Sequence, residues 1–189
     1  MAIREQAKNA TREAILRAAI DTVMAERSFS ITLPAVAERA DVAAKTVLRH
    51  FGSRDALIEA AWAQALHEVL EERTPPPGDP EAALRVLIEH YERRGRVGLV
   101  MLATEQEDAR AQRMSAHGRL HHRAWVEEVF GPQLPEPPAE RSRLIDVLVV
   151  ATDVYSWKLL RLDRGLSVED VHDRMLLMTQ SVLTARRVP

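Results

Sequence analysis

The sequence predicts an all-α fold, and three observations predict it. Apolar residues recur at the spacing of one helix face, and proline and glycine clusters punctuate the chain at helical lengths. No segment alternates apolar and polar residues around a tight turn, as paired strands would. About nine helices are expected, as an N-terminal three-helix helix-turn-helix domain over residues 1–53 and a C-terminal helical domain over residues 54–189. The composition, 46% hydrophobic, is that of a packed globular chain. The absence of cysteine excludes disulfides, thiol catalysis and thiolate metal sites, and fits a reducing compartment. The most apolar stretch, Leu144 to Ala151, is interrupted by Asp146 and followed by Asp153, so no segment is suited to crossing a bilayer. Arg4, Glu5, Lys8 and Arg12 break up any apolar signal core at the N-terminus. A soluble, cytoplasmic protein without a membrane partner is expected.

Each element is justified in turn. Ile15, Leu16, Ala19, Ile20, Val23 and Met24 mark the apolar face of the first helix. Phe29 to Thr32 is the only segment with an extended character. Leu33 to Arg39 reads as a short helix, in which Pro34 falls in the first turn and costs no intrahelical bond. Ala40 and Asp41 follow, and aspartate tolerates the left-handed backbone of a tight turn. Val42 plugs the angle to a second short helix, Ala43 to His50. Val36, Ala37, Val42, Val47 and Phe51 then form a small shared core. This is the layout of a helix-turn-helix, whose second helix lies in the major groove of DNA.

Further on, Leu57, Ile58, Ala61, Ala65, Leu66, Val69 and Leu70 repeat the helical period until Thr74-Pro75-Pro76-Pro77-Gly78 stops it. Asp79-Pro80-Glu81 opens the next helix with a cap, a proline in the first turn and an acid. Gly95 is expected to end that helix, and Gly131-Pro132 another. Pro135 to Pro138 forms a stiff linker, and Gly165 closes a long apolar helix. Ser167 and Asp170 are spaced as a capping box for the last helix.

Residues 10–70 resemble the TetR family of transcriptional regulators. The family pattern runs roughly Thr-x-x-x-Ile-Ala-x-x-Ala-Gly-Val-Ser-x-Gly-Thr-Leu-Tyr-x-His-Phe-x-Ser-Lys-x-x-Leu. Thr32, Val36-Ala37, Ala40-Asp41-Val42, Thr46, His50-Phe51, Ser53-Arg54 and Leu57 fall in its register. Several positions depart from it. Leu48 stands for a phosphate-contacting tyrosine, Asp41 for the turn glycine, Ala43 for a capping serine and Arg54 for a lysine. The resemblance implies a dimeric regulator that binds a palindromic operator and is released by a small molecule, with no cofactor and no enzymatic activity.

The DNA contact set expected from this segment is Thr32, Ala43, Ala44, Lys45, Thr46, Leu48, Arg49, His50 and Arg54. Lys45, Thr46 and Arg49 project from the second helix toward base edges or phosphates. Thr32 caps a helix and can meet a phosphate oxygen, and Arg54 would anchor the backbone. His50 either meets phosphate or packs beside Phe51. Outside this motif, Lys45, Arg49 and Arg54 would read as a solvated charged face. Residues 1–55 carry nine basic and seven acidic side chains, whereas the whole chain has a net charge of −2. A weakly basic head on an acidic body fits DNA binding by the head.

In the C-terminal domain, Tyr91, Met101, Glu105, His121 and Trp125 are candidates to line an effector pocket, with ordinary core packing the alternative for each. His117 and His121 stand four apart without a third ligand at a metal-binding spacing, so no metal site is expected. Leu144, Val147, Leu148, Ala151 and Tyr155 form one apolar helix face, and Val171, Met175, Met178 and Val182 another. The resemblance implies that these faces pair across a homodimer; burial inside one subunit is the alternative. The rival readings are an enzyme and a helical interaction module that keeps the fold without sequence-specific DNA binding. No nucleophile elbow, phosphate loop or metalloprotease histidine pair supports the first.

Overall fold

A computed structural model of the chain describes residues 2–184. It is all-helical, with no strand among the described residues. The helices are α1 (Ala2–Glu26), α2 (Leu33–Arg39), α3 (Ala44–Phe51), α4 (Arg54–Glu72), α5 (Pro80–Thr104), α6 (Ala109–Phe130), α7 (Pro138–Thr152), the short α8 (Val154–Trp157) and α9 (Val168–Thr184). A 3₁₀ turn at Gly131–Gln133 follows α6, and α8 runs directly into a π-helical turn at Lys158–Asp163. Nine α-helical segments are thus present among the described residues, and Phe29 to Thr32 is an irregular loop.

The described residues fall into two compact units that part between Glu71 and Glu72. The boundary expected at residue 53 therefore lies too early. Leu57, Ile58 and Ala61 of α4 are buried with Ile15, Leu16, Ala19, Ile31, Val36 and Val47 in one core, so α4 completes the first unit. That burial removes the apolar face of α4 from water and holds α1 to α3 around it.

In the second unit, α5 packs on α6, α8 and α9, and α7 packs on α6 and α9. Its core joins Leu84, Leu87, Ile88, Val126, Phe130, Ile145, Leu148, Trp157, Val171 and Met175. Asp79 caps α5 by accepting from the Ala82 amide at 2.9 Å, as the Asp-Pro-Glu start predicts. Ser167 Oγ accepts from the Asp170 amide and donates to the Asp170 carboxylate, both at 3.0 Å, ahead of α9.

Two expected boundaries fail. Gly95 does not end α5, which continues to Thr104. A β-carbon at Gly95 would lie 2.7 Å from Cζ3 of Trp157, so this glycine is there to let the indole approach the helix backbone. Nor does one long apolar helix run up to Gly165. It breaks at Asp153, whose extended backbone ends α7 and whose carboxylate accepts from the Tyr155 amide at 2.8 Å to start α8.

Candidate DNA-binding surface and a buried polar cluster

The helix-turn-helix is built from local chemistry. Thr32 Oγ1 accepts from the Ala35 amide at 3.3 Å and begins α2. Asp41 takes the left-handed conformation, φ 51°, at the turn between α2 and α3. The Val42 amide then donates to the Ala37 carbonyl at 3.0 Å and closes the angle. Val36, Ala37 and Val47 are buried beneath, with Val42 and Phe51 partly buried against them. Ala43 caps α3 with its backbone alone and contributes no side-chain bond.

With Val47 turned inward, the opposite face of α3 points to solvent. Lys45, Leu48 and Arg49 are exposed, and Ala44, Thr46 and His50 partly so. Thr32 and Ala43 are exposed beside them. Neither Lys45 nor Arg49 is ion-paired among the described residues. Arg54 behaves differently from the expectation of a free phosphate anchor. Its Nε donates to the Ile31 carbonyl at 2.6 Å and its Nη2 to the Phe29 carbonyl at 3.0 Å. Arg54 thus ties the loop before α2 to the start of α4.

The first unit also brings α1 to this surface, which the motif alone does not disclose. The Arg12 guanidinium lies 5.0 Å from the Phe51 ring centroid. His50 and Phe51 rings are 6.4 Å apart and tilted. Partial burial holds the His50 pKa below the ordinary histidine value, and the positive charges of Arg49, Lys8 and Arg12 lower it further. Lys8, Arg12 and Arg49 therefore form a basic edge close to His50. The nine basic residues of the first 55 were legible as a count, but α1 and α3 had to be folded together to show this edge.

The second unit holds a buried polar cluster. Arg73, just after α4, donates through Nη2 to Nδ1 of His122 at 2.9 Å, and its carbonyl accepts from Nε1 of Trp125 at 3.1 Å. With Nδ1 accepting, the proton of His122 sits on Nε2, which faces the Val149 carbonyl at 3.3 Å and Thr152 Oγ1 at 3.1 Å. Trp125 stacks on His122 with ring centroids 6.0 Å apart. Tyr91 donates to the Thr152 carbonyl at 3.0 Å. His90 shares a hydrogen bond of 3.3 Å with the Glu72 carboxylate, which Arg94 also grips at 2.8 Å.

Burial, reinforced by the charge of Arg73, lowers the pKa of His90 to about 4 and that of His122 to about 3, so both rings are neutral at pH 7. The hydrogen bond from Arg94 is the main cause that lowers Glu72 to about 2.

Of the expected pocket residues, Tyr91 and Trp125 belong to this cluster. No hydrogen bond or ion pair joins Met101, Glu105 or His121 to it among the described residues. Glu105 instead pairs with Arg119 at 2.8 Å. The cluster's own polar members, Arg73, His90, His122 and Thr152, were not anticipated. Only the spacing of His122 and Trp125, three apart on one helix face, hinted at them.

The expected dimer faces divide sharply. Leu148, Ala151, Val171 and Met175 are buried within their own unit. Leu144, Met178 and Val182 are partly buried against the same core. Val147 and Tyr155 are exposed, as are Val150, Leu159 and Leu177, which were not anticipated.

Among the described residues no group of three potential ligands is placed to hold a metal, and no helix is long and apolar enough to cross a membrane. Residues 15–61 match the family model of the bacterial regulatory proteins, tetR family. No curated protein matches the chain.

Proposed function

From a chain whose N-terminal unit belongs to the tetR family of bacterial regulatory proteins, we propose a homodimeric transcriptional repressor that binds a palindromic operator and is released by a small molecule. DNA binding and transcriptional regulation come with the family. Repression, dimerisation and ligand release are this reading's own steps. The observation that carries it is the outward face of α3, where Lys45, Thr46 and Arg49 are held off a core of Val36, Ala37 and Val47.

In the proposed complex α3 enters the major groove. Lys45 and Arg49 meet base edges or phosphates, and Thr46 supplies a hydroxyl. Leu48, 43% exposed, is suited to the methyl group of thymine rather than to phosphate. Thr32, Ala43, Ala44 and His50 flank the contact, and Lys8 and Arg12 extend it along the phosphate backbone. Arg54 acts as a positioning residue through the loop it holds. The exposed apolar side chains Val147, Val150, Tyr155, Leu159 and Leu177 supply the surface for a second chain. Two recognition helices then match half-sites about 34–36 Å apart.

Release requires an effector that binds the non-binding arrangement better than the DNA-bound one. The polar cluster around Tyr91 and Trp125 supports its placement in the second unit. Helix α4 starts at Arg54, tied to the loop before the recognition motif, and ends at Glu72, gripped by Arg94 and His90. It is the covalent element through which a change at the cluster would reach the head.

A mobility-shift titration with the DNA upstream of the protein's own gene tests the reading. Wild type should bind as two chains per duplex, with affinity falling steeply as salt rises. Lys45→Ala and Arg49→Ala should each weaken binding about tenfold or more. Binding that is absent, or indifferent to salt and to both substitutions, overturns it.

A further inference from the structure

We propose that the second unit binds an organic carboxylate at Arg73, between His90, His122 and Trp125, and that this anion is the class of molecule to which the regulator responds. The response clause rests on the function proposed above; the binding site does not.

The argument starts from an uncompensated charge. Arg73 is partly buried, and no carboxylate of the described residues lies within ion-pair distance of it. Its Nε is sealed from solvent and has no hydrogen-bond partner. Its one polar side-chain contact is the neutral ring of His122. Two acids close by, Glu72 next to it in the chain and Asp153, which feels its charge, are otherwise engaged. Glu72 is held by Arg94 and His90, and the Asp153 carboxylate caps α8. A guanidinium taken from water without a counter-ion is costly, and an acid supplied from outside lowers that cost. Arginine presents paired N–H groups in a fork that suits a carboxylate.

The surroundings choose the kind of anion. One guanidinium balances one negative charge. His90 and His122 are neutral, and the one ring hydrogen of each is already committed, that of His90 to Glu72 and that of His122 to Val149 and Thr152, so they add no further charge. The rings of Trp125 and Tyr91, both members of the second unit's hydrophobic core, add apolar surface. A dianionic phosphate would stay half-compensated there. A monocarboxylate with an apolar body would have its charge matched and its body kept from water. The guanidinium also lies over the Trp125 ring, 5.9 Å from its centroid.

The test uses the full-length protein and matched probes: benzoate and octanoate, with benzamide and octanamide as their uncharged counterparts. Melting is followed at pH 7 and constant ionic strength. At least one carboxylate should raise the melting midpoint in a saturable manner, and neither amide should. Arg73→Gln should abolish the shift. The imidazole signals of His90 and His122, followed by NMR, should titrate at higher pH with the carboxylate bound, an effect that general stabilisation would not produce.

Stabilisation by amides as large as by carboxylates, a shift that survives Arg73→Gln, or no shift with either acid would each overturn the site. The DNA mobility shift then separates the two claims. A carboxylate that binds through Arg73 yet leaves DNA affinity unchanged overturns its role as effector and leaves the site standing. DNA release by uncharged compounds alone overturns the carboxylate assignment and leaves the regulator standing.

Discussion

Single residues settle several features that their own type does not announce. Gly95 is the clearest. In a helix interior glycine costs ~1 kcal/mol relative to alanine, and its sequence context suggests a helix end. It is retained because Trp157 occupies the space of its missing side chain. That indole is fully buried, and its Nε1 donates to Glu92 at 2.7 Å, so it has little freedom to move aside. Gly95→Ala should therefore lower stability by ~1–2 kcal/mol, because overpacking of ~1–3 kcal/mol outweighs the helix-propensity gain. Gly98, three residues on, would meet nothing within 4 Å. Gly98→Ala should raise stability by up to ~1 kcal/mol. Urea unfolding of the two variants checks the pair, and equal effects would refute the packing argument.

Elements divide into those whose signals are local and those whose environment is set from far along the chain. The start of α2 at Thr32, the left-handed Asp41, the Asp79-Pro80 start of α5 and the Ser167 cap of α9 were all legible, because each depends on residues within one turn. The place of Gly95 inside α5 was not, since a residue of α8, Trp157, decides it. The apolar helices α7 and α9 carry hydrophobic side chains on more than one face. Periodicity marks such faces without saying which meets the core. Hence Leu148 and Met175 could not be told from Val147 and Leu177 before folding. The buried cluster was hidden for the same reason, as its members come from α5, α6, the end of α7 and the segment after α4. One local signal also yields a prediction. Ala43 starts α3 with an extended backbone, φ −73° and ψ 144°, and no side-chain bond. The Thr46 amide already donates to the Ala43 carbonyl at 2.7 Å, so Ala43→Ser should accept from the Lys45 amide and stabilise the first unit by ~1 kcal/mol, a rise of ~4–8 °C in its melting midpoint. No rise in a thermal scan would mean that the α3 terminus is already satisfied another way.

At the scale of the whole molecule, the buried cluster makes the protein sensitive to acid, and the sign follows from the direction of each shift. In the unfolded chain His90 and His122 take up protons near pH 6.5. In the folded chain they resist protonation down to about 4 and about 3. Between those limits the unfolded state binds protons that the native state refuses, so stability falls as pH falls. The slope is up to ~1.4 kcal/mol per pH unit for each histidine. Glu72 acts in the same direction lower down. Its carboxylate is stabilised by Arg94 in the fold, so its contribution is intact above its ordinary pKa of 4.5 and is lost as pH drops toward about 2. His50 adds to the upper window, since burial and then its basic neighbours lower its pKa. It is partly exposed, so solvent weakens its share. Urea midpoints between pH 7.5 and 4 should therefore decline steadily below pH 6.5, with no plateau at neutral pKa values. His90→Gln, which removes one of the two buried rings, should flatten the decline. A midpoint that holds constant from pH 7 to 5 would mean that the two imidazoles titrate normally and that the cluster is open to water, and the counter-ion argument for Arg73 would lose its footing with it.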